Sequence, residues 1–256
     1  MTRLTPEQVG AIKHLLVPMA DDEWMIAHRG SEWLGLAPDL EEDLAQNSTT
    51  QDEMGHAQRL YMLLHDMGLA EPEDWVYNRD PLHWHHAVLT AKPRDGWAEW
   101  VVRRYLYEVA DWVRRDALSH IPYPPLVASL HKMDREEAYH LAHYRTLMTT
   151  LAHGGPTSRG FLMQALTDDW PLTADLFQWV GSAENWAIWD VGALAPSAMM
   201  NRFLAQVRID FSPWHLEMPP LTPAPRSARH HGNSRDLARL VEEMVSVRRI
   251  APDSPW

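Results

Sequence analysis

A Glu and a His stand three residues apart twice in this chain, in Gln51-Asp52-Glu53-Met54-Gly55-His56 and in Glu136-Glu137-Ala138-Tyr139-His140. On an α-helix that offset sets a carboxylate and an imidazole side by side on one face, where they can grip a metal ion. One such pair is common on the wet side of a helix. Here both pairs lie inside apolar helical stripes, and a further carboxylate precedes each at nearly the same distance: Glu23 is 30 residues before Glu53, and Glu108 is 29 before Glu137. The repeat reads as a duplicated helical hairpin.

Periodicity supplies the helices. Thr5-Pro6-Glu7-Gln8 signals a start, with a Thr cap, Pro at the first helical position and Gln three residues after the cap. A first helix is expected from there to about Gly30, with Ile12, Leu16, Met19, Glu23 and Ile26 on one side. A second runs from Pro38 to Gly68, its inward line passing through Gln46, Thr49, Glu53, His56, Leu60 and Leu63. A third begins near Asp95 and aligns Trp97, Val101, Tyr105, Glu108 and Trp112. The fourth, from Pro124 to Gly154, aligns Leu126, Leu130, Met133, Glu137, His140 and Tyr144. Residues 70–93 lose this pattern and read as a crossover containing some helix. Further helices are expected over about 157–180, bent or interrupted at Pro171, over about 195–207 and over about 234–248. Residues 211–227 are too rich in proline for a regular helix. The expectation is one all-α domain over residues 1–256, with an antiparallel four-helix bundle in 1–154 and extra helices with a proline-rich segment in 155–256.

In such a bundle the charges on the inward stripes are Glu23, Glu53, Glu108 and Glu137, accompanied by His56 and His140. Unpaired carboxylates in a core are very costly. Two divalent cations set four positive charges against four negative ones and leave the histidines neutral, the dinuclear arrangement of helical bundles. Oxygen and imidazole donors suit iron or manganese. A metal-free network of core Glu–Arg and Glu–His pairs leaves the duplicated spacing unexplained. Asp111, one turn after Glu108, and Asp22, beside Glu23, compete for two of the places, although Asp22 falls off the stripe set by Leu16 and Met19. Ligand histidines usually donate their other ring N–H to a carboxylate or carbonyl, so Asp52 is expected to orient His140 and Glu136 to orient His56. The polar run from Gln46 to Gln51 suggests a site opening between the second and third helices, with Gln46 and Thr49 on its wall. A Thr49 hydroxyl bonded to its own backbone is the other reading. Adjacent histidines at 85 and 86 point in different directions on any regular element, which argues against a metal role there.

Zero cysteines exclude disulfides, thiolate zinc sites and iron–sulfur clusters. A formal net charge of −12 argues against nucleic acid as partner. No apolar run is long enough for a signal peptide or a membrane span, so a soluble cytoplasmic protein without a membrane partner is expected. The basic residues are unusual, three lysines against twenty arginines, and the thirteen tryptophans can fill a core or an interface, a Trp-rich surface suggesting a complex with other subunits.

On these residues the chain resembles the ferritin-like subunits of the bacterial phenylacetyl-coenzyme A epoxidase, a multicomponent ring oxygenase. Gln-Asp-Glu-x-Gly-His at 51–56, Glu-Glu-x-x-His at 136–140 and the offsets to Glu23 and Glu108 are similar to its catalytic subunit. The run Glu32-Trp33-Leu34-Gly35 to Ala37-Pro38, Gly154-Gly155 and the stretch from Leu237 to Trp256 are more similar to its scaffold subunit, which in the familiar examples has lost ligands. The full set stands here. The resemblance implies a ferritin-like fold and a non-haem di-iron centre that activates O2 and puts one oxygen atom on the ring of an aromatic acyl-coenzyme A such as phenylacetyl-coenzyme A. Electrons would come from a reductase, and the other partners would be further oxygenase subunits or a second copy of this chain. Glu23, Glu53, His56, Glu108, Glu137 and His140 become the implied metal ligands, with at least one Glu bridging. A coenzyme A thioester needs basic contacts, for which Arg226-Ser227-Ala228-Arg229-His230-His231 and Lys92 with Arg94 are the candidates, each also readable as an ordinary solvated charge cluster. A structural subunit with a metal-stabilised core, a ferroxidase and a manganese catalase are the competing functions.

Overall fold

Two side-chain caps fix where the bundle begins. Thr5 accepts a hydrogen bond from the backbone N–H of Gln8 at 3.2 Å while the Gln8 side chain accepts from Thr5 N–H at 3.0 Å, and the first helix, α1, runs Pro6–Ser31. Asp39 accepts from Glu42 N–H at 2.8 Å, so the second, α2, opens at Leu40, two residues later than its proline suggested, and spans Leu40–Asp66. The computed structural model describes residues 4–181, 184–223, 229 and 235–251, and no strand occurs among them. After α2 the crossover carries two short helices, α3 (Pro72–Tyr77) and α4 (Val88–Ala91), with a 3-10 turn at Pro81–His83. The core is completed by α5 (Trp97–Ser119) and α6 (Pro124–His153). Short links make α1 with α2, and α5 with α6, two antiparallel hairpins, and α2 packs across to α6. The architecture is all-α and ferritin-like.

Outside the bundle, α7 (Pro156–Asp169) gives way to a 3-10 segment, Trp170–Phe177, so that Pro171 interrupts the helix and does not merely bend it. Pro171 has no N–H to continue the α-helical ladder, and the chain tightens there. The next helices are α8 (Glu184–Ala187) and α9 (Pro196–Phe211), the latter ending four residues later than its sequence pattern suggested. Met199, Phe203, Val207 and Phe211 recur every fourth residue and are all buried, and Phe211 stacks on Tyr105 of α5 at 6.2 Å between centroids. The last helix, α10 (Arg235–Ile250), packs on α3 and α4.

The helices of the first hairpin touch closely. A Cβ at Gly30 would stand 2.4 Å from Thr50 Oγ1, so only glycine allows α1 and α2 to meet at that level. The three consecutive acids of α1 are all fully buried, and they do different jobs. Asp21 accepts from the Tyr61 hydroxyl (2.6 Å), Arg79 Nη2 (2.7 Å) and His85 N–H (2.7 Å), which pins the crossover to α1. Asp22 accepts from Ala87 N–H (2.6 Å), Arg114 and Arg229 Nη2 (2.9 Å). Burial pushes the Asp22 carboxyl up, but Arg229 and Arg114 outweigh it and hold the group below its usual range. Glu23 is left to face the bundle interior.

Arg229 therefore belongs to the core and not to a surface patch for coenzyme A, which corrects that expectation. Its guanidinium is fully buried, and it also donates to the carbonyls of Asp175 (2.7 Å), His85 (2.9 Å) and Leu176 (3.0 Å). The other members of that patch, Arg226, Ser227, Ala228, His230 and His231, lie outside the described residues.

Removing one partner from a buried pair leaves the other charge uncompensated. Arg229→Ala should lower unfolding stability by about 3–5 kcal/mol, read as a shift of the urea midpoint. Arg248→Ala, which breaks a half-exposed pair with Glu73 at 3.5 Å, should cost about 0–1 kcal/mol in the same experiment.

Candidate metal centre

The helical offset places Glu53 with His56 on α2 and Glu137 with His140 on α6, while Glu23 comes from α1 and Glu108 from α5. All six side chains converge at one level of the bundle and are at most 1% exposed. They form two overlapping groups, Glu23–Glu53–His56–Glu137 and Glu53–Glu108–Glu137–His140, in each of which one potential ligand atom per residue lies within 4.8 Å of the others. Glu53 and Glu137 are common to both, the position a bridging carboxylate takes.

Both imidazoles turn Nδ1 inward. His56 Nδ1 lies 2.9 Å from Glu137 Oε1, 3.6 Å from Glu53 Oε2 and 3.9 Å from Glu23 Oε2. His140 Nδ1 lies 3.4 Å from Glu53 Oε1 and 3.8 Å from Glu137 Oε1. The outer nitrogens meet carboxylates of the opposite helix: His56 Nε2 is 2.8 Å from Glu136 Oε2, and His140 Nε2 is 3.2 Å from Asp52 Oδ2. These are the cross-bundle contacts expected from the sequence. A proton on Nε2, donated to that carboxylate, leaves Nδ1 with a lone pair aimed into the cluster.

The cluster suits a cation on its own chemistry. Both Glu23 oxygens are buried with no hydrogen-bond donor among the described residues. Without a metal, burial first and then the Glu53 carboxylate push Glu23 well above the usual carboxylate range. Burial likewise raises Glu108, against the pull of Arg104. The histidines show the same need for positive charge. Burial alone would lower His56, but hydrogen bonds to Glu137 and Glu53 carry it to about 11, and bonds to Asp52 and Glu53 carry His140 to about 10. Metal ions can take the place of those protons.

Asp111 does not join the cluster groups. Arg115 Nε reaches Asp111 Oδ2 at 2.5 Å and Arg114 Nη2 reaches Oδ1 at 3.1 Å, so two guanidiniums occupy it. Arg104 was missed by sequence reasoning. It is fully buried and pairs with Glu53 and with Glu108, the latter at 2.5 Å. The signal was its position one turn before Glu108, which on α5 sets the two on one face.

The expected opening between α2 and α5 is closed. Gln46 Oε1 accepts from Trp100 Nε1 (2.8 Å) and from the Tyr144 hydroxyl (2.9 Å), while Gln46 Nε2 donates to Thr50 Oγ1 (2.9 Å). The Thr49 hydroxyl donates to the Gln46 carbonyl at 3.2 Å, which puts it among the groups sealing this seam, not on a pocket wall. The buried members of the polar run, Gln46, Thr49 and Thr50, bond to one another and to Trp100 and Tyr144, while Ser48 and Gln51 face solvent. A cavity of about 570 Å³ opens between α5 and α6 instead, lined by Trp112, Arg115, Asp134, Glu137, Leu141 and Arg145 among others. It reaches the cluster at Glu137. Lys92, proposed with Arg94 as a thioester contact, is engaged with the buried carboxylate of Asp169, and the exposed Arg94 lies 5.6 Å over the Trp33 ring.

A family model described as phenylacetic acid catabolic protein matches residues 2–256. The chain belongs to that family. It is also similar to one of the subunits of the 1,2-phenylacetyl-CoA epoxidase of Escherichia coli (strain K12), 24% identical over 240 residues that cover 93% of this chain and 96% of that protein. No helix among the described residues of this family member is long and apolar enough to cross a membrane.

The outer carboxylates give a direct test. Asp52, one-third exposed, can change without disturbing packing. Asp52→Asn should leave the thermal unfolding of the metal-free protein within a few degrees of wild type and weaken metal affinity about 10- to 100-fold in competition with a chromophoric chelator.

Proposed function

We propose that this chain is a metal-holding oxygenase subunit of the phenylacetyl-coenzyme A epoxidase type, acting on the ring of an aromatic acyl-coenzyme A. The observation that carries it is the pair of overlapping ligand groups sharing Glu53 and Glu137, with both histidine Nδ1 atoms turned inward. Glu23, Glu53, His56, Glu108, Glu137 and His140 would hold two iron ions, and manganese suits the same donors. When bound, such a pair supplies electrons and open positions at which O2 can be reduced. Asp52 and Glu136 hold the ring protons of His140 and His56, so that both Nδ1 atoms stay directed at the centre. The cavity between α5 and α6 gives the acyl group its approach. Trp112 and Leu141 offer apolar contact there, and Arg145, which also pairs with Asp210 at 2.9 Å, offers a cation to the phosphates of the thioester. A reductase and further oxygenase subunits are the proposed partners, in keeping with the Escherichia coli relative being itself one subunit of its enzyme. The proposed setting is the cytoplasm.

A non-catalytic subunit with a metal-stabilised core is the second reading. Two buried guanidiniums, Arg104 and Arg115, already neutralise part of the cluster without any metal.

Protein from iron-supplied cells should carry about two metal ions per chain, and Glu53→Ala or His140→Ala should remove most of them. Chemically reduced protein given O2, phenylacetyl-coenzyme A and a reductase should then consume O2 and yield a ring-oxygenated thioester detectable by mass spectrometry. Ala138 lines the cavity from an exposed position, so Ala138→Trp should abolish the thioester-dependent O2 uptake while leaving metal content unchanged. Full metal with no O2 consumption under any thioester would select the second reading.

A further inference from the structure

Arg104 contacts the cluster and resembles neither a ligand nor an orienting group. It projects from α5 one turn before Glu108, and its Nη2 contacts Oε1 of Glu53 and, at 2.5 Å, Oε1 of Glu108. Both carboxylates belong to the group completed by Glu137 and His140. Nothing else holds the guanidinium by hydrogen bonds among the described residues: Nε and Nη1 are buried without a partner. Its remaining neighbours are aromatic faces, Tyr144 at 5.0 Å and Trp100 at 5.8 Å from the guanidinium carbon. The other cation at the rim differs. Arg115 is anchored outside the cluster by Asp111 and Asp134, and it touches Glu137 only at 3.4 Å.

The two halves of the centre are therefore unlike. In the half that contains Glu23 and His56, neither Glu23 oxygen has a hydrogen-bond donor or an arginine among the described residues, the nearest charged partner being His56 Nδ1 at 3.9 Å. In the half that contains Glu108 and His140, a fixed positive charge rests on one oxygen of Glu53 and one oxygen of Glu108. Metal–oxygen bonds of about 2.0–2.2 Å leave no room for a guanidinium nitrogen on the same lone pairs. Two cations sharing these carboxylates also repel each other strongly in a site that excludes water.

We propose that Arg104 is a built-in cation that competes for the Glu53–Glu108–Glu137–His140 position, so that the centre loads unequally. The first ion takes Glu23–Glu53–His56–Glu137, and the second enters only when the guanidinium leaves Glu53 and Glu108. This rests on the cluster being a metal centre, and it adds a residue that sets how fully the centre fills.

The test is to titrate the metal-free full-length protein with Co2+, following visible absorption and heat. Wild type should bind in two steps, the second at least about tenfold weaker than the first. Arg104→Met keeps the length of the side chain without its charge, and should strengthen the second step about 10- to 100-fold. Arg104→Lys should keep the wild-type inequality. Two equal steps in wild type, or a second step unmoved by Arg104→Met, would overturn the proposal and leave the metal centre standing. Binding of no Co2+ at all would remove the metal centre and the proposal together. Should Arg104→Met fail to fold, anomalous diffraction from wild-type crystals soaked with one equivalent of Co2+ decides the matter. One peak beside His56 supports the proposal, and equal peaks at both positions, or one beside His140, refute it.

Discussion

Buried charge governs this protein. A carboxylate taken from water into a helical core must find a cation, a proton or several donors, and the interior of this bundle holds many. The sequence Asp21-Asp22-Glu23 meets the requirement in three ways within one turn of α1. Asp21 ties down the crossover, Asp22 ties down α5 and Arg229, and Glu23 is left without a donor among the described residues, facing the cluster. Scaffold and site are adjacent products of the same constraint.

The arginine excess follows from it. Arg103, Arg104, Arg114 and Arg115 all lie buried on α5, a helix covered by the core on one side and by α7 and α9 on the other. A guanidinium suits such places better than an ammonium, because its planar fork serves two acceptors at once and is weakly hydrated. Arg115 illustrates this, reaching Asp111, Asp134 and Glu137 together. The central helix of the fold thereby supplies most of the countercharge for the acids around it. Arg104 extends the same device into the cluster itself, which is why metal chemistry and core electrostatics cannot be separated here.

The two seams of the bundle also divide by how their polar groups are satisfied. At the seam of α2 with α5, Gln46 answers Trp100, Tyr144 and Thr50, and the interior closes. Between α5 and α6 the charged groups of Arg115 and Asp134 stand at the edge of open space, and the cavity reaches Glu137. Open space therefore meets the cluster on the α6 side, away from the helix whose polar run first suggested an entrance.

Much of the bundle and its cluster was legible in the chain because it is local. Caps, helical periodicity and a three-residue offset between Glu and His act within one or two turns, and they set the helices, their inward faces and the six side chains that meet. The contacts of Asp52 and Glu136 were legible for the same reason, since a residue beside a ligand lies at its level on the helix. What escaped depends on distant parts of the chain. Whether Arg229 is solvated or buried is decided by Asp22, 207 residues away, and whether Gln46 lines a pocket or seals a seam is decided by Trp100 and Tyr144, 54 and 98 residues away. The sequence by itself determined which charges share a helix face. Only the tertiary structure decided which of them meet an arginine, as Glu53, Glu108 and Glu137 do, and which among the described residues meet none, as with Glu23, because the energy of a buried charge is set by the partners that packing brings to it.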